Sequence, residues 1–355
     1  MRKHPALLSL LLCLSTHTLW SAPATPIPIK VVIVVMYESG EDTGDAPGEL
    51  QYWVEREHLD RVLPFDAGFH HLRMNDRGVL AVLTGVGTAK AAASIMALGL
   101  DPRFDLTHAY WLVAGIAGGD PTDVSLGSAV WARWVVDGDL AYEIDAREIP
   151  PAWPTGYVPL RKSVPYEQPV TPPDGQVYEL NHSLVDWAYN LTKNTPLLDD
   201  ETMRSKRSHF EQVAAKRPPF VTEGDDLCSS TFWHGKLMDE WANAWMSYFT
   251  AGKGNFVVSA MEDTGTLQSL TFLSRAGKVD LHRALVLRTI SNYDQPPPGL
   301  SAAESLAEQK VGKYGAYLQA LEAAYSVGHP VVEAIVAHWD KYRDHLPQET
   351  RFSSR

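Results

Sequence analysis

Residues Gly78–Leu98 read GVLAVLTGVGTAKAAASIMAL. Val79 to Leu83 is an unbroken apolar run, the pattern of a strand buried on both faces. Thr84-Gly85-Val86-Gly87 supplies a turn, and the alanine-rich stretch Thr88 to Leu98 favours helix. A buried strand that passes through a glycine turn straight into a helix is the building unit of an α/β fold. The pattern repeats outward. Val31–Val35 is a β-branched run with the same reading, as are Trp111–Ala114, Ser128–Val136, Phe256–Val258 and Ala284–Leu287. Gly115-Ile116-Ala117-Gly118-Gly119 is expected to end the third strand. Helices on both faces follow from the alternation, and ligands are expected at the loops after the strand C-termini.

The flanking segments fill in the rest. Eight prolines between Pro150 and Pro173 forbid regular structure over 146–175, which reads equally as a surface loop or as a lid over a site. Leu180, Leu184, Trp187 and Leu191 share one helix face. Ala302–Tyr325 and Val331–Tyr342 read as closing helices. No linker or repeat divides the chain, so residues 25–355 are expected to form a single domain.

The chain has 355 residues, 45% of them hydrophobic and 21% charged, which excludes a disordered or coiled-coil state. The formal net charge is −12 with no Lys/Arg-rich run, so a nucleic-acid interface is not expected. The two cysteines, Cys13 and Cys228, cannot build a cysteine-rich zinc site, and His70, His71, His338 and His345 lack metal-site companions in the sequence. No metal and no cofactor are expected. Gly85-x-Gly87 carries Lys90 where a dinucleotide loop needs a third small residue, and there is no phosphate-loop motif.

Arg2 and Lys3, the apolar run Ala6–Leu14 and the small-x-small site Ala22-Pro23-Ala24 read as a signal peptide over residues 1–24. An exported protein, periplasmic or secreted, is expected. Beyond that segment no apolar stretch approaches the roughly 18 residues of a membrane helix.

Four blocks, in order, resemble the nucleoside phosphorylase and nucleosidase superfamily: Leu83–Gly87 with its helix, Ala114–Gly119 with Leu126-Gly127-Ser128, Val257–Glu262, and Leu287–Asn292. Further stretches resemble the purine nucleoside permease family: Tyr37-Glu38, Asp42–Glu49, Asp101–Leu106, Tyr142–Glu148 and Ser291-Asn292-Tyr293-Asp294. The resemblance implies a three-layer α/β/α fold with a central mixed sheet, purine nucleoside as ligand, and a homo-oligomer. The family name implies transport, whereas the fold implies cleavage of the N-glycosidic bond.

Cleavage builds positive charge on the ribose and negative charge on the purine. By resemblance Glu262 grips the ribose hydroxyls, with Met261 against the sugar and Arg288 holding the nucleophile; Arg288 reads alternatively as a structural ion pair. Asn292 stands where nucleosidases carry an aspartic acid that protonates N7. Its amide can hydrogen-bond N7 and a 6-oxo group but cannot yield a proton, so Asp294 is the alternative acid. Thr84, Gly85 and Gly87 offer backbone N–H groups at a helix start. Gly118 replaces a serine that lies near the nucleophile. Gly224–Cys228 resembles a block that positions the purine, and Phe232 and Trp233 beyond it read either as rings that stack on the base or as core aromatics. The acidic loop Glu38–Glu49 has no Lys or Arg to hold inorganic phosphate, the alternative co-substrate. That favours hydrolysis, with Glu38 as candidate base for water. The competing expectation is a nucleoside-binding protein without catalysis that assists transport. N-terminal sequencing of exported material should begin near Thr25; material that still begins at Met1 would contradict cleavage.

Overall fold

The computed structural model describes residues 25–309 and 315–347, so the signal segment and Cys13 lie outside the described residues. The expected strands lie in one mixed sheet of twelve, joined there by short strands that the sequence reading did not single out. In chain order they are β1 (Val31–Val35), β2 (Arg61–Leu63), β3 (Leu72–Met74), β4 (Val79–Leu83), β5 (Tyr110–Gly119) and β6 (Ala129–Trp131). There follow β7 (Trp134–Asp137), β8 (Val177–Glu179), β9 (Val221–Glu223), β10 (Asp225–Cys228), β11 (Phe256–Ala260) and β12 (Ala284–Tyr293). The main path runs β8-β7-β10-β11-β5-β1-β4-β3-β2, with β12 paired to β5 and β6, and β9 to β6. The centre, β4-β1-β5-β12, is parallel, with Ile33 between Ala81 and Leu112, and Leu112 beside Leu285. Every residue of β1 and β4 is buried, as an apolar run flanked by parallel neighbours requires.

Helices cover the sheet in two groups. Helix α2 (Thr88–Gly99) packs on α6 (Asp263–Arg275), while α8 (Tyr317–Ala337) packs on α1 (Gln51–Arg56), α3 (His182–Thr192), β5 and β12. Between α3 and α6 in the chain lie α4 (Glu201–Ser208) and α5 (Lys236–Phe249); α7 (Ala302–Glu308) precedes α8. None of the described helices is long and apolar enough to cross a membrane.

Several boundaries differ from the sequence expectation. The Gly115–Gly119 segment stays in β5, because β11 and β12 pair with it on both sides and supply the hydrogen bonds that glycine alone does not favour. Residues 128–136 divide into β6 and β7, which serve different neighbours. Leu191 is exposed; the buried stripe of α3 is Leu184, Val185, Ala188 and Thr192, after an Asn181 N-cap. The break between closing helices falls before Tyr317, and α8 runs through Pro330 because Val327, Val331, Val332 and Ile335 bury its face. In the proline-rich segment Tyr157–Pro159 pairs with Ala141–Glu143, while Tyr166 and Val170 pack on the aromatic cluster of Trp134, Trp241 and Trp245. None of residues 146–175 lines the pocket described below, so the packed-loop alternative holds over the lid.

One close approach ties the fold to the site. A Cβ at Gly265, in the first turns of α6, would sit 2.1 Å from the carbonyl oxygen of Thr88 at the start of α2. Only glycine lets the two helix starts meet. Gly265→Val should therefore lower stability by about 1–3 kcal/mol through overpacking, read as a lower urea midpoint; an unchanged midpoint would show that the helices separate without cost.

Candidate active site

A pocket enclosing about 360 Å³ opens at the C-terminal ends of β1, β5 and β12 and beside the end of β11. That volume lies in the range of small-molecule sites, roughly 300–1,000 Å³. Of the residues expected there, Met261, Glu262, Arg288, Asn292, Asp294, Gly118, Phe232 and Trp233 all line it, although they come from distant parts of the chain.

Arg288 is the one basic side chain among the lining residues. It leaves β12 opposite Gly115 of β5, where a Cβ would fall 2.5 Å from Glu49 Oε1 and 2.8 Å from Arg288 Nη1. Its Nε donates to Asp263 Oδ2 at 2.9 Å and its Nη2 to Asp263 Oδ1 at 2.5 Å. Nη2 also donates to Glu262 Oε2 at 3.2 Å, and Nη1 to the Ile116 carbonyl at 3.1 Å. Burial works against the charge, but Asp263 and Glu262 outweigh it, so the guanidinium is held firmly as a cation. The structural ion pair and the pocket role thus coexist in one side chain.

Glu262 lies two residues beyond the end of β11 and occupies the N-cap position of α6 without capping it. Its Oε1 instead accepts the Gly87 N–H at 3.1 Å. Burial raises its pKa, against the pull of Arg288. Asp263 lies in the first turn of α6, where the helix dipole favours a negative charge. Behind it Asp226 of β10 is fully buried, with neither oxygen accepting a hydrogen bond. Burial and the Asp263 charge push its carboxyl well above the usual range, so it holds a proton beside Asp263.

The acidic loop does supply a carboxylate, but from a different residue. Glu38 does not line the pocket: it accepts the N–H groups of Ser39, Gly48, Leu50 and Gln51, closing the loop and satisfying the first donors of α1. Glu49 lines it instead. Its Oε2 accepts Met36 N–H and its Oε1 Ile116 N–H, both at 2.8 Å. Burial, opposed by Arg288 and reinforced by Glu262, pushes its pKa up to about 8. Glu49 lay inside the loop read as acidic, and its flanks are the clue: Gly48 and Leu50 are buried neighbours of a charged residue at a helix start.

Thr84 and Gly85 also fall outside the lining. The Thr84 hydroxyl is buried against the Val35 and Gly85 carbonyls, and Gly85 abuts the Phe69 ring. Gly87 acts through Glu262, while Val86 takes the place at the rim. Within Gly224–Cys228, Asp225–Cys228 forms strand β10, with Leu227 in the aromatic core, and none of these residues lines the pocket; Thr231, Phe232 and Trp233 beyond it do. Phe232 is partly exposed and Trp233 is packed on Trp241 and Phe256.

On the remaining wall Asn292 sits opposite Gly118, at an irregularity in the β5–β12 pairing. Its Oδ1 accepts the Ser291 hydroxyl at 2.8 Å and its Nδ2 donates to the Tyr293 carbonyl at 3.2 Å, which leaves one N–H for a ligand. Asp294 backs the same wall with its carboxyl sealed inside the protein. Away from the pocket, His70, His71 and Arg73 converge on buried Asp42, and Glu57 meets His329 and Glu333; these two clusters bring donor atoms within 4.8 Å of one another. Arg73 already occupies the Asp42 carboxylate at 2.6 Å, which makes that cluster an anchor for the acidic loop.

The purine nucleoside permease family model matches residues 28–347. A purine nucleoside permease of Candida albicans is 33% identical over 267 residues, covering 74% of this chain and 65% of that one, so the chain spans about two thirds of that relative's length. A probable purine nucleoside permease of Schizosaccharomyces pombe is 33% identical over 276 residues, covering 74% of this chain and 76% of the relative. Among solved structures, the 5′-methylthioadenosine/S-adenosylhomocysteine nucleosidase of Neisseria meningitidis superposes with a TM-score of 0.50 at 16% identity, covering 86% of this chain and all of that one. Futalosine hydrolase of Helicobacter pylori gives 0.51 at 15%, covering 86% and 98%. These likenesses establish the nucleoside phosphorylase-like fold.

Arg288→Met should cost about 3–5 kcal/mol, because it leaves Asp263 and Glu262 buried without a cation. Adding Asp263→Asn should recover part of that loss. Urea unfolding of both variants reads this, and an Arg288→Met protein as stable as the wild type would contradict the ion-pair assignment.

Proposed function

The chain belongs to the purine nucleoside permease family, and from that premise we propose that it binds purine nucleosides and cleaves their N-glycosidic bond by hydrolysis. In this reading the protein acts after export, as a homo-oligomer, in support of nucleoside uptake or salvage. The observation that carries it is the union of Glu49, Glu262 and Arg288 in one pocket, with Arg288 spent on carboxylates.

Each group has a part in that reaction. Glu262, steadied by Gly87 and Arg288, accepts from the ribose hydroxyls and places negative charge beside the oxocarbenium-like sugar. Glu49 takes a proton from water as the water oxygen bonds to C1′. The electron pair of the C1′–N9 bond passes to the purine, which Asn292 contacts by its free N–H; an amide suits the N7 and 6-oxo edge of inosine or guanosine. Phe232 and Trp233 offer ring faces. A phosphate ion would meet Glu49, Glu262 and an arginine already paired twice, so water is the better co-substrate.

A second reading has its own support. Asn292 at the position of the expected acid, together with the permease names of the relatives, fits a protein that binds nucleosides for transport without turnover.

With inosine as substrate, Glu262→Gln should lower kcat by about 10²–10³-fold, the usual cost of one electrostatic contact to the transition state. Glu49 acts as carboxylate, the form present above its pKa of about 8. Activity should therefore rise about tenfold per pH unit below that value and level off above it, and Glu49→Gln should abolish the rise. Full activity in Glu262→Gln, or a profile flat from pH 6 to 9, would overturn these roles.

A further inference from the structure

Three aspartates converge behind the base-facing wall. Asp294 follows β12, Asp120 follows β5, and Asp239 lies in the first turn of α5; all three are buried. Backbone bonds fix the arrangement: Asp294 N–H donates to Gly119 at 3.2 Å, and its carbonyl accepts the Gly235 N–H at 2.8 Å at the start of α5. Asp120 is spoken for, its Oδ1 taking the Thr122 N–H and its Oδ2 the Asn243 amide. That same amide donates to the Asp239 backbone carbonyl, which ties α5 to Asp120.

By contrast, both oxygens of Asp294 and Oδ1 of Asp239 are buried with no hydrogen-bond donor from the rest of the protein. Two neighbouring carboxyls with three of their four oxygens lacking a donor are best accommodated by sharing a proton, one as acid and one as carboxylate. Burial raises both carboxyls, and their neighbours reinforce it: Asp239 and Asp120 for Asp294, and Asp120, Glu240 and Asp123 for Asp239, which is pushed up to about 7. Lys236, the cation of that helix start, pairs with Glu240 and leaves the cluster unneutralised.

The pair borders the place where a base would sit. A Cβ at Gly118 would lie 2.5 Å from Ser259 Oγ, 3.5 Å from Asn292 Nδ2 and 3.6 Å from Asp294 Cβ, so the bare glycine lets the Ser259 hydroxyl, the base-contacting amide and Asp294 share one wall of the pocket. Asp294 is itself a lining residue, and delivery of its proton requires a turn about its Cα–Cβ bond that brings the carboxyl to the pocket side, past Ser259.

We infer that Asp294 and Asp239 form a proton-sharing pair that supplies the departing purine: Asp294 donates the proton, and Asp239 is the positioning residue that keeps Asp294 loaded. This rests on the nucleosidase reading. The carboxylic proton of Asp294 moves to purine N7 as the C1′–N9 electron pair passes into the ring. Asp294, now a carboxylate, is reprotonated by Asp239, which takes its proton from solvent, while Glu49 returns to solvent the proton it took from water. Asn292 reads the base and Asp294 completes the chemistry that an amide cannot.

The test compares inosine with 7-methylinosine, whose cationic base leaves without an added proton. In Asp294→Asn and Asp239→Asn proteins, kcat on inosine should fall about 10²-fold or more, as for loss of a general acid. The loss on 7-methylinosine should be at least tenfold smaller, which also reports that the pocket is folded. Equal losses on both substrates, or none on either, would overturn the pair. A wild type that cleaves 7-methylinosine but not inosine would overturn it while leaving the nucleosidase reading in place; a wild type that cleaves neither would overturn both.

Discussion

The architecture of the pocket depends on one buried cation. Arg288 emerges from the longest stretch of parallel pairing in the sheet and meets Asp263, Glu262 and the Ile116 carbonyl with its donors. Glu49 and Asp226 stand close enough to feel its charge. One positive charge cannot neutralise four carboxyl groups in a medium of low dielectric, so protons make up the difference. Asp263 is the bidentate partner of the arginine at a helix start, Asp226 behind it is pushed well above the usual carboxylate range, and burial lifts Glu49 to about 8. The raised pKa of Glu49 is thus the result of burial and of the neighbouring Glu262, which the shared charge of Arg288 offsets only in part.

The same constraint shapes what the pocket can accept. An arginine bound by a bidentate aspartate has little left for an external anion, whereas a neutral nucleoside brings hydroxyls that Glu262 can receive and a base that Asn292 can contact. Glycines at 115 and 118 keep this wall thin. The first lets Glu49 approach Arg288, and the second lets the Ser259 hydroxyl come up to the wall that carries Asn292 and Asp294. The acidic loop is fastened twice, by Glu38 on the start of α1 and by Asp42 on His70, His71 and Arg73, and so holds Glu49 in register with β1 and β5.

The fold was legible because its central strands are read by burial alone: Val31–Val35 and Val79–Leu83 have no polar residue to misplace. Most pocket residues were legible because each follows such a strand, as Met261, Glu262 and Asn292 do. What the sequence hid were choices between near neighbours. Glu38 and Glu49 sit in one acidic loop, and only the loop's closure shows that Glu38 turns onto backbone N–H groups while Glu49 reaches the pocket. Thr84 and Val86 differ by two residues, yet the strand end buries the first and the turn presents the second. Asp226, Asp239 and Asp263 gave no local signal, since their partners come from other strands and helices. Asp294 was visible as a candidate acid, but its neighbours were not.

The most direct test is to incubate the purified protein with inosine, with and without inorganic phosphate, and identify the sugar product. Free ribose and hypoxanthine, formed at a rate independent of phosphate, are the expected result. Ribose-1-phosphate that appears only with phosphate, or tight inosine binding with no product in either condition, would contradict the account.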